Sequence, residues 1–157
     1  MFREMRRAVQ QIANEEAIAV LERGSNGIMA CLGDDGYPYA VPLNYAYTAG
    51  KIYFHAAKVG HKMDAIIAQP KVSFAVVDQD DIVSAEYTSY FRSAIAFGTA
   101  RIVEGEEWVT GFRAIVEKYS GDQPVHAKEM EISGCGHSAV VAIDIQHLTG
   151  KVNRRMV

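Results

Sequence analysis

An antiparallel β-barrel, closed or nearly closed and flanked by about three helices, is the fold class that this sequence predicts. Three observations carry the prediction. About six runs rich in β-branched and aromatic residues recur along the 157 residues, bounded by Gly, Pro, Asn or Asp. Most follow one another across short turns, which makes them meanders. One helix alone is inserted among the first strands, after the third, which argues against the regular strand–helix alternation of a parallel sheet.

Asn14 suits an N-cap, Glu15 and Glu16 occupy a first turn, and Gly24 is placed to end the helix. Ile18, Val20 and Leu21 supply the apolar face, so the first helix is predicted over 14–23. Met29 to Leu32 reads as a strand, and Gly33-Asp34-Asp35-Gly36 as a strong turn. The next strand, 37–47, contains Pro38 and Pro42, which cannot donate to a ladder. An edge position or a bulge follows, and either frees backbone groups for a ligand. Thr48-Ala49-Gly50 turns the chain into a strand at 52–56.

After a helix at 61–68, Gln69-Pro70 stops the chain and Lys71 to Val77 forms the fourth strand. Asp78-Gln79-Asp80-Asp81 reads as a solvated acidic turn, without the Gly and distal Glu of a calcium loop. A long strand is predicted over 88–103, with Gly98 at a bulge or bend. Trp108, Phe112, Ile115 and Val116 define one side of a helix over 106–119, closed by Gly121. Residues 122–136 read as irregular or weakly helical, and the last strand spans 139–145. No repeat or linker divides the chain, so one domain, 1–157, is expected.

Composition narrows the function. A hydrophobic fraction of 49% and a charged fraction of 22% are ordinary for a globular domain. The formal charge of -3 gives no general attraction to nucleic acid, so any anion-binding role must be local. No apolar run approaches the roughly 20 residues that span a bilayer. The start of the chain carries Arg3, Arg6 and Arg7 and soon reaches Gln10 and Gln11, not an apolar signal core. A solvated basic arm and a cytoplasmic location are expected. Cys31 sits in an apolar run and reads as a small core residue. Cys135, between Gly134 and Gly136, lacks further soft ligands at a fitting spacing, so no metal site is expected.

The segment from Lys51 to Ile66 carries the most chemistry. A strand of Ile52, Tyr53 and Phe54 breaks at Gly60, and a helix restarts with Met63, Ile66 and Ile67 at helical spacing. Its start is flanked by Lys58, His61 and Lys62. A helix N-terminus offers unpaired N–H groups and a partial positive charge, so added cations make a phosphate seat. No Gly-x-Ser-x-Gly elbow, phosphate-binding Gly-rich loop ending in Lys-Ser/Thr, or His-Glu-x-x-His is present. Chemistry here would be supplied by a cofactor.

Gly33-Asp-Asp-Gly-Tyr-Pro-Tyr-Ala-Val-Pro-Leu-Asn-Tyr45 and Lys51-Ile-Tyr-Phe-His-Ala-Ala-Lys-Val-Gly-His-Lys62 are followed by Gln69-Pro-Lys-Val-Ser-Phe74. Tyr90-Phe-Arg-Ser93, Gly98-Thr-Ala-Arg-Ile-Val-Glu104 and Leu148-Thr-Gly-Lys151 complete the series. Together these motifs resemble the flavin-binding split barrels related to pyridoxamine 5'-phosphate oxidase, and more narrowly the nitroimidazole-resistance (Nim-type) branch. The resemblance implies a mainly β, six-stranded antiparallel split barrel of Greek-key type, forming a homodimer with FMN at the interface.

It also implies roles residue by residue. Val41, Pro42, Leu43, Asn44 and Tyr45 match the strand along the isoalloxazine ring, with Asn44 the preferred polar contact and at least one of Tyr45 and Tyr47 in the core. His55 and Ala56 match the strand end near the ribityl chain. His61 and Lys62 match the basic pair at the FMN phosphate, and Ser93 a polar position facing the flavin. His55, followed by His61, is the candidate catalytic acid. Arg92 is left between a phosphate and an acidic neighbour. The implied activity is an FMN-dependent oxidoreductase that passes electrons from NADH or NADPH to a small acceptor such as a nitro compound. The rival readings are a flavin- or haem-binding protein without turnover and a structural dimer with a vestigial pocket. The oxidases themselves end in a Trp- and Arg-rich segment that grips substrate phosphate. The sole tryptophan here is Trp108 and the end reads Val152-Asn-Arg-Arg-Met-Val157, so vitamin oxidation is not expected.

Overall fold

The computed structural model describes residues 1–154, and among them the chain forms eight strands and four α-helices. They run β1 (Gln11–Ile12), α1 (Asn14–Arg23), β2 (Gly27–Leu32), β3 (Pro38–Leu43), β4 (Ala46–Thr48) and β5 (Lys51–Ala56). There follow α2 (His61–Ala68), β6 (Lys71–Val83), β7 (Thr88–Val103), α3 (Gly105–Ser120), α4 (Val125–Gly134) and β8 (Ala139–Val152). No described helix is long and apolar enough to cross a membrane.

Connectivity alone forces the sheet to curl. The hydrogen-bonded order is β3-β2-β6-β7-β8-β5-β4, every pair antiparallel, with β1 added to the far half of β8. Laid flat, seven strands would separate β3 from β4 by about 29 Å. Yet Asn44 and Tyr45 alone join them, a reach of at most about 10 Å. The two ends must therefore meet. No ladder joins β3 to β4 among the described residues, so the barrel is split along that seam.

Register sorts the two faces. Met29, Phe74, Ala96 and Leu148 stand in one cross-strand row pointing inward, and Met29, Phe74 and Ala96 are fully buried. The next row, Ile28, Ala75, Ile95 and Thr149, points outward. Helix α1 fills one barrel end with Ala17, Val20 and Leu21, and α2 contributes Met63, Ala65 and Ile66 to the same core from the other end. Small residues admit these plugs. A Cβ on Gly150 would lie 2.5 Å from Ile12 and 2.8 Å from Ala17, so no larger residue fits there without displacing β1 or α1. Outside the barrel, Phe112, Ile115 and Val116 of α3 and Ile132 of α4 cover Tyr53, Val140 and Ala142. Arg101 on β7 clamps this layer, bonding Glu107 of α3 (2.7 and 2.8 Å) and Asp144 of β8 (2.5 Å).

Several expectations are corrected. Eight strands replace six, because Asn44–Tyr45 splits the run at 37–47 and β1 adds a short pair. Ala13, not Asn14, precedes the first helical residue, and its N–H donates to Glu16 at 3.3 Å. Gly24 ends α1 with an ordinary φ of -58°; it is small because a Cβ would press on Val76 at 2.3 Å and on the Tyr45 hydroxyl at 2.7 Å. Residues 125–134 are fully helical.

The acidic stretch at 78–81 is not a turn but the middle of β6. Asp78 occupies a bulge between Val77 and Gln79, its side chain only 4% exposed, bonded at 2.8 Å to both Arg23 and Arg92. Burial pushes this carboxyl up, but the hydrogen bonds from Arg92 and Arg23 outweigh it and hold the group below the usual carboxylate range.

The seam is riveted by Tyr45. Its ring is fully buried edge-on to Phe74 (4.9 Å), and its hydroxyl donates to Leu21 O at 2.6 Å. Its backbone N–H donates to the Tyr119 hydroxyl at 3.0 Å, which in turn donates to Ser25 O at 2.5 Å. The Lys118 ammonium lies 3.9 Å above the Tyr45 ring, buried and without a hydrogen-bond partner.

Two outcomes are expected. Asp78→Asn should cost about 2–3 kcal/mol by chemical denaturation at neutral pH, less than a fully buried broken pair because both arginines keep water. The wild-type advantage is complete above the unfolded carboxyl's pKa of about 3.9 and is lost as pH falls through the lower native value, so the two curves should converge in acid. At Lys118 burial pushes the amine down to about 8, so the unfolded chain binds more protons between there and about 10.4. Wild-type stability should rise with pH across that window, and urea midpoints of Lys118→Met should lack the rise.

Candidate functional site

The loop after β5 ends at Gly60, whose φ of 126° is a conformation closed to most L side chains. This residue launches α2. The N–H groups of Met63 and Asp64 return to Gly60 O at 2.9 and 3.1 Å, leaving those of His61 and Lys62 without an intrahelical acceptor. No side chain caps them, and the space over Gly60 is open. Lys62 is half-buried and has no ion pair among the described residues. His61 stacks on Tyr39 (centroids 4.1 Å apart, 12° between planes), with Nε2 3.7 Å from Asp34. Asp34 is 89% exposed, so its charge is strongly solvent-screened and leaves the seat net positive. Free N–H groups, a helix dipole and two basic side chains fit a phosphate monoester.

The remaining predicted residues separate by face. Strand β3 is an end strand, as Pro38 and Pro42 required, and pairs with β2 alone. Pro42 is exposed and Val41 half-buried against the core. Leu43 and Tyr45 are core residues, and Tyr45 meets the expectation that at least one of Tyr45 and Tyr47 is buried; beside a ligand Leu43 and Tyr45 would offer backbone rather than side chain. Their inward direction follows from the pleat and, for Tyr45, from its hydroxyl bond to Leu21. Asn44 is exposed, its amide 3.5 Å from Ser25 O.

On β5 the alternation divides neighbours. Ala56 is buried in the barrel, whereas His55 faces outward with Tyr53 and meets the edge of Phe112 on α3 at 5.7 Å. The two side chains face opposite sides of β5, as adjacent strand residues do. Arg92 is resolved as the partner of Asp78.

Ser93 lies far from the phosphate seat. It pairs with Val77 and Lys151, six residues along β7 from Thr99, which pairs with Lys71 near the seat's end of the barrel. At the usual strand rise this is about 20 Å. A single chain thus brings the start of α2, with His61 and Lys62, beside the start of β3 at Tyr39, and leaves His55 and Ser93 elsewhere. Two features escaped the sequence reading. One is the Tyr45–Lys118–Tyr119 rivet, formed between elements 74 residues apart. The other is α4, whose one buried residue, Ile132, leaves almost no apolar stripe to detect.

Known proteins were compared with this arrangement. Among solved structures, a conserved hypothetical protein from Mycobacterium tuberculosis is 22% identical with a TM-score of 0.81, covering 98% of this chain and 96% of its own. A candidate 5-nitroimidazole antibiotic resistance protein from Bacteroides thetaiotaomicron is 20% identical with a TM-score of 0.75, covering 90% and 86%. A flavocytochrome from Azotobacter vinelandii is 22% identical with a TM-score of 0.75, covering 98% and 73%. These likenesses establish the fold. None of the curated proteins matches. A family model described as pyridoxamine 5'-phosphate oxidase matches residues 13–152, nearly the whole of the described chain, and on that match the chain belongs to the pyridoxamine 5'-phosphate oxidase family.

Proposed function

We propose that this protein is a flavin-dependent oxidoreductase that seats the phosphate of FMN at the start of α2. The observation that carries the reading is the uncapped N-terminus at Gly60-His61-Lys62, with its free N–H groups and unpaired ammonium. Lys62 holds the phosphate by charge, and His61 is kept in place by its stack on Tyr39. The edge strand β3 flanks the seat at Tyr39, and its missing ladder partners leave backbone groups open along it towards Pro42 and Asn44. A bound flavin supplies the redox chemistry, taking electrons from a reduced nicotinamide and giving them to a small acceptor. A nitro compound is the acceptor class we favour, supported by the likeness to the Bacteroides protein. The supply of reduced nicotinamide suits a cytoplasmic setting.

The same reading calls for two copies. Ser93, the polar position expected to face the flavin, stands about 20 Å along β7 from the seat's end of the barrel, and a second copy would bring its own Ser93 to the flavin. An outward apolar face suits that role: Ile28, Leu32, Val77, Ile95 and Phe97 are 39–60% exposed on adjoining strands. A carrier of flavin or haem without turnover is the second reading, favoured by the flavocytochrome likeness and by the absence of His55 from the seat.

Fluorescence titration tests the phosphate seat. Lys62→Ala combined with His61→Ala should weaken FMN at least about tenfold, as expected for losing charge-assisted bonds, and leave riboflavin almost unaffected. Equal affinity of the variant and the wild type for FMN would remove the assignment. Light scattering tests the pairing: Val77→Glu with Ile95→Glu should yield a folded monomer that has lost FMN. A wild-type monomer that binds FMN fully would end the two-copy reading. A flavin that binds but is not reduced by NADH or NADPH would move the protein to the carrier class.

A further inference from the structure

A second compartment lies on the opposite side of β5 from the barrel core. It is a cavity of about 520 Å³ between the end of β5, α3 and α4, within the size range of small-molecule sites. Its floor is Phe112, Ile115 and Val116, each at most 8% exposed. Phe112 is held rigidly, stacked on Trp108 (4.9 Å, 4°), whose indole N–H donates to Ser138 O at 3.0 Å. The wall is thus a fixed aromatic surface over an apolar base.

The polar groups around it fall into two sets. Lys128 is engaged by Glu117 at 2.8 Å, and Glu131 accepts the Cys135 thiol at 3.0 Å. That hydrogen bond, with burial and the carboxylate's charge behind it, pushes the thiol up and leaves it a poor nucleophile. The two lining imidazoles, His55 and His137, have no hydrogen-bond partner among the described residues. A neutral imidazole presents one N–H donor and one acceptor nitrogen. The Glu131 carboxylate in the lining opposes a second negative charge.

We propose that this cavity binds a planar, uncharged aromatic molecule bearing a carboxamide-type group, whose ring lies on the Phe112 floor and whose amide is read by His55 and His137. An amide both donates and accepts, matching the imidazoles, while a carboxylate meets Glu131 and a bare hydrocarbon leaves the imidazoles unpaired. The site is distinct from the flavin seat, since none of its lining residues belongs to α2 or β3.

The test is fluorine NMR on the full chain with 4-fluorobenzamide as probe. Saturable broadening is expected, with 4-fluorotoluene and 4-fluorobenzoate each at least five times weaker. Ala127→Trp fills the cavity from the exposed face of α4 and should abolish the signal. His55→Ala with His137→Ala, both at exposed positions, should cut the preference for the amide over the toluene to under twofold. Far-UV circular dichroism and thermal melting check that both variants remain folded. No saturable binding by folded wild type would overturn the proposal. So would binding that survives Ala127→Trp, or an amide preference unchanged in the double histidine variant.

Discussion

Everything in this molecule rests on a two-residue bridge. Asn44 and Tyr45 join the first and last strands of the hydrogen-bonded path, so the sheet cannot be drawn flat. Closure brings a cost, because curling a sheet without pairing its ends leaves backbone groups exposed at the seam. Tyr45 offsets part of it. Its N–H, its hydroxyl and its ring are all engaged, by Tyr119, Leu21 and Phe74. The outer helix α3 therefore holds the seam through Tyr119, and the inner helix α1 through Leu21.

The split also determines where ligands can approach. An end strand with two prolines lies beside an uncapped helix start, and neither is covered by the rest of the chain. Helix α2 is required as the link from β5 to β6 across the barrel end, and its apolar face is consumed there. Its polar start is left over at the rim. The candidate anion site is thus a by-product of a structural necessity, with His61 and Lys62 each adding a basic side chain beside donors that any helix leaves unpaired.

Much of this was legible beforehand, for local reasons. Helix α2 over 61–68 and strand β7 over 88–103 match their predicted limits because strong signals bracket them, Gly60 and Gln69-Pro70 for the first. Pro38 and Pro42 correctly placed β3 at an edge. What failed was nonlocal. Asp78 looked like part of a solvated turn because its partners, Arg23 and Arg92, lie 55 and 14 residues away. The opposite facing of His55 and Ala56 follows from the pleat alone, which turns neighbours to opposite sides. A core place for Tyr45 or Tyr47 was expected, but which of the two is buried depends on α1 and α3 arriving from distant sequence.

The placement of β8 has a consequence for how the chain acquires its shape. That strand pairs with β7, β5 and β1, so the earlier elements lack their permanent neighbour until β8 exists. On a ribosome, β5 would emerge with one side unpaired and wait through more than 80 residues, from Ala56 to Ala139, for its partner. Pairings so distant in sequence are slow to form. During that interval the half-made barrel would expose a raw strand edge, the state most open to mispairing with another nascent copy. Emergence of β8, not the formation of any local hairpin, would then be the event that commits these strands to their fold.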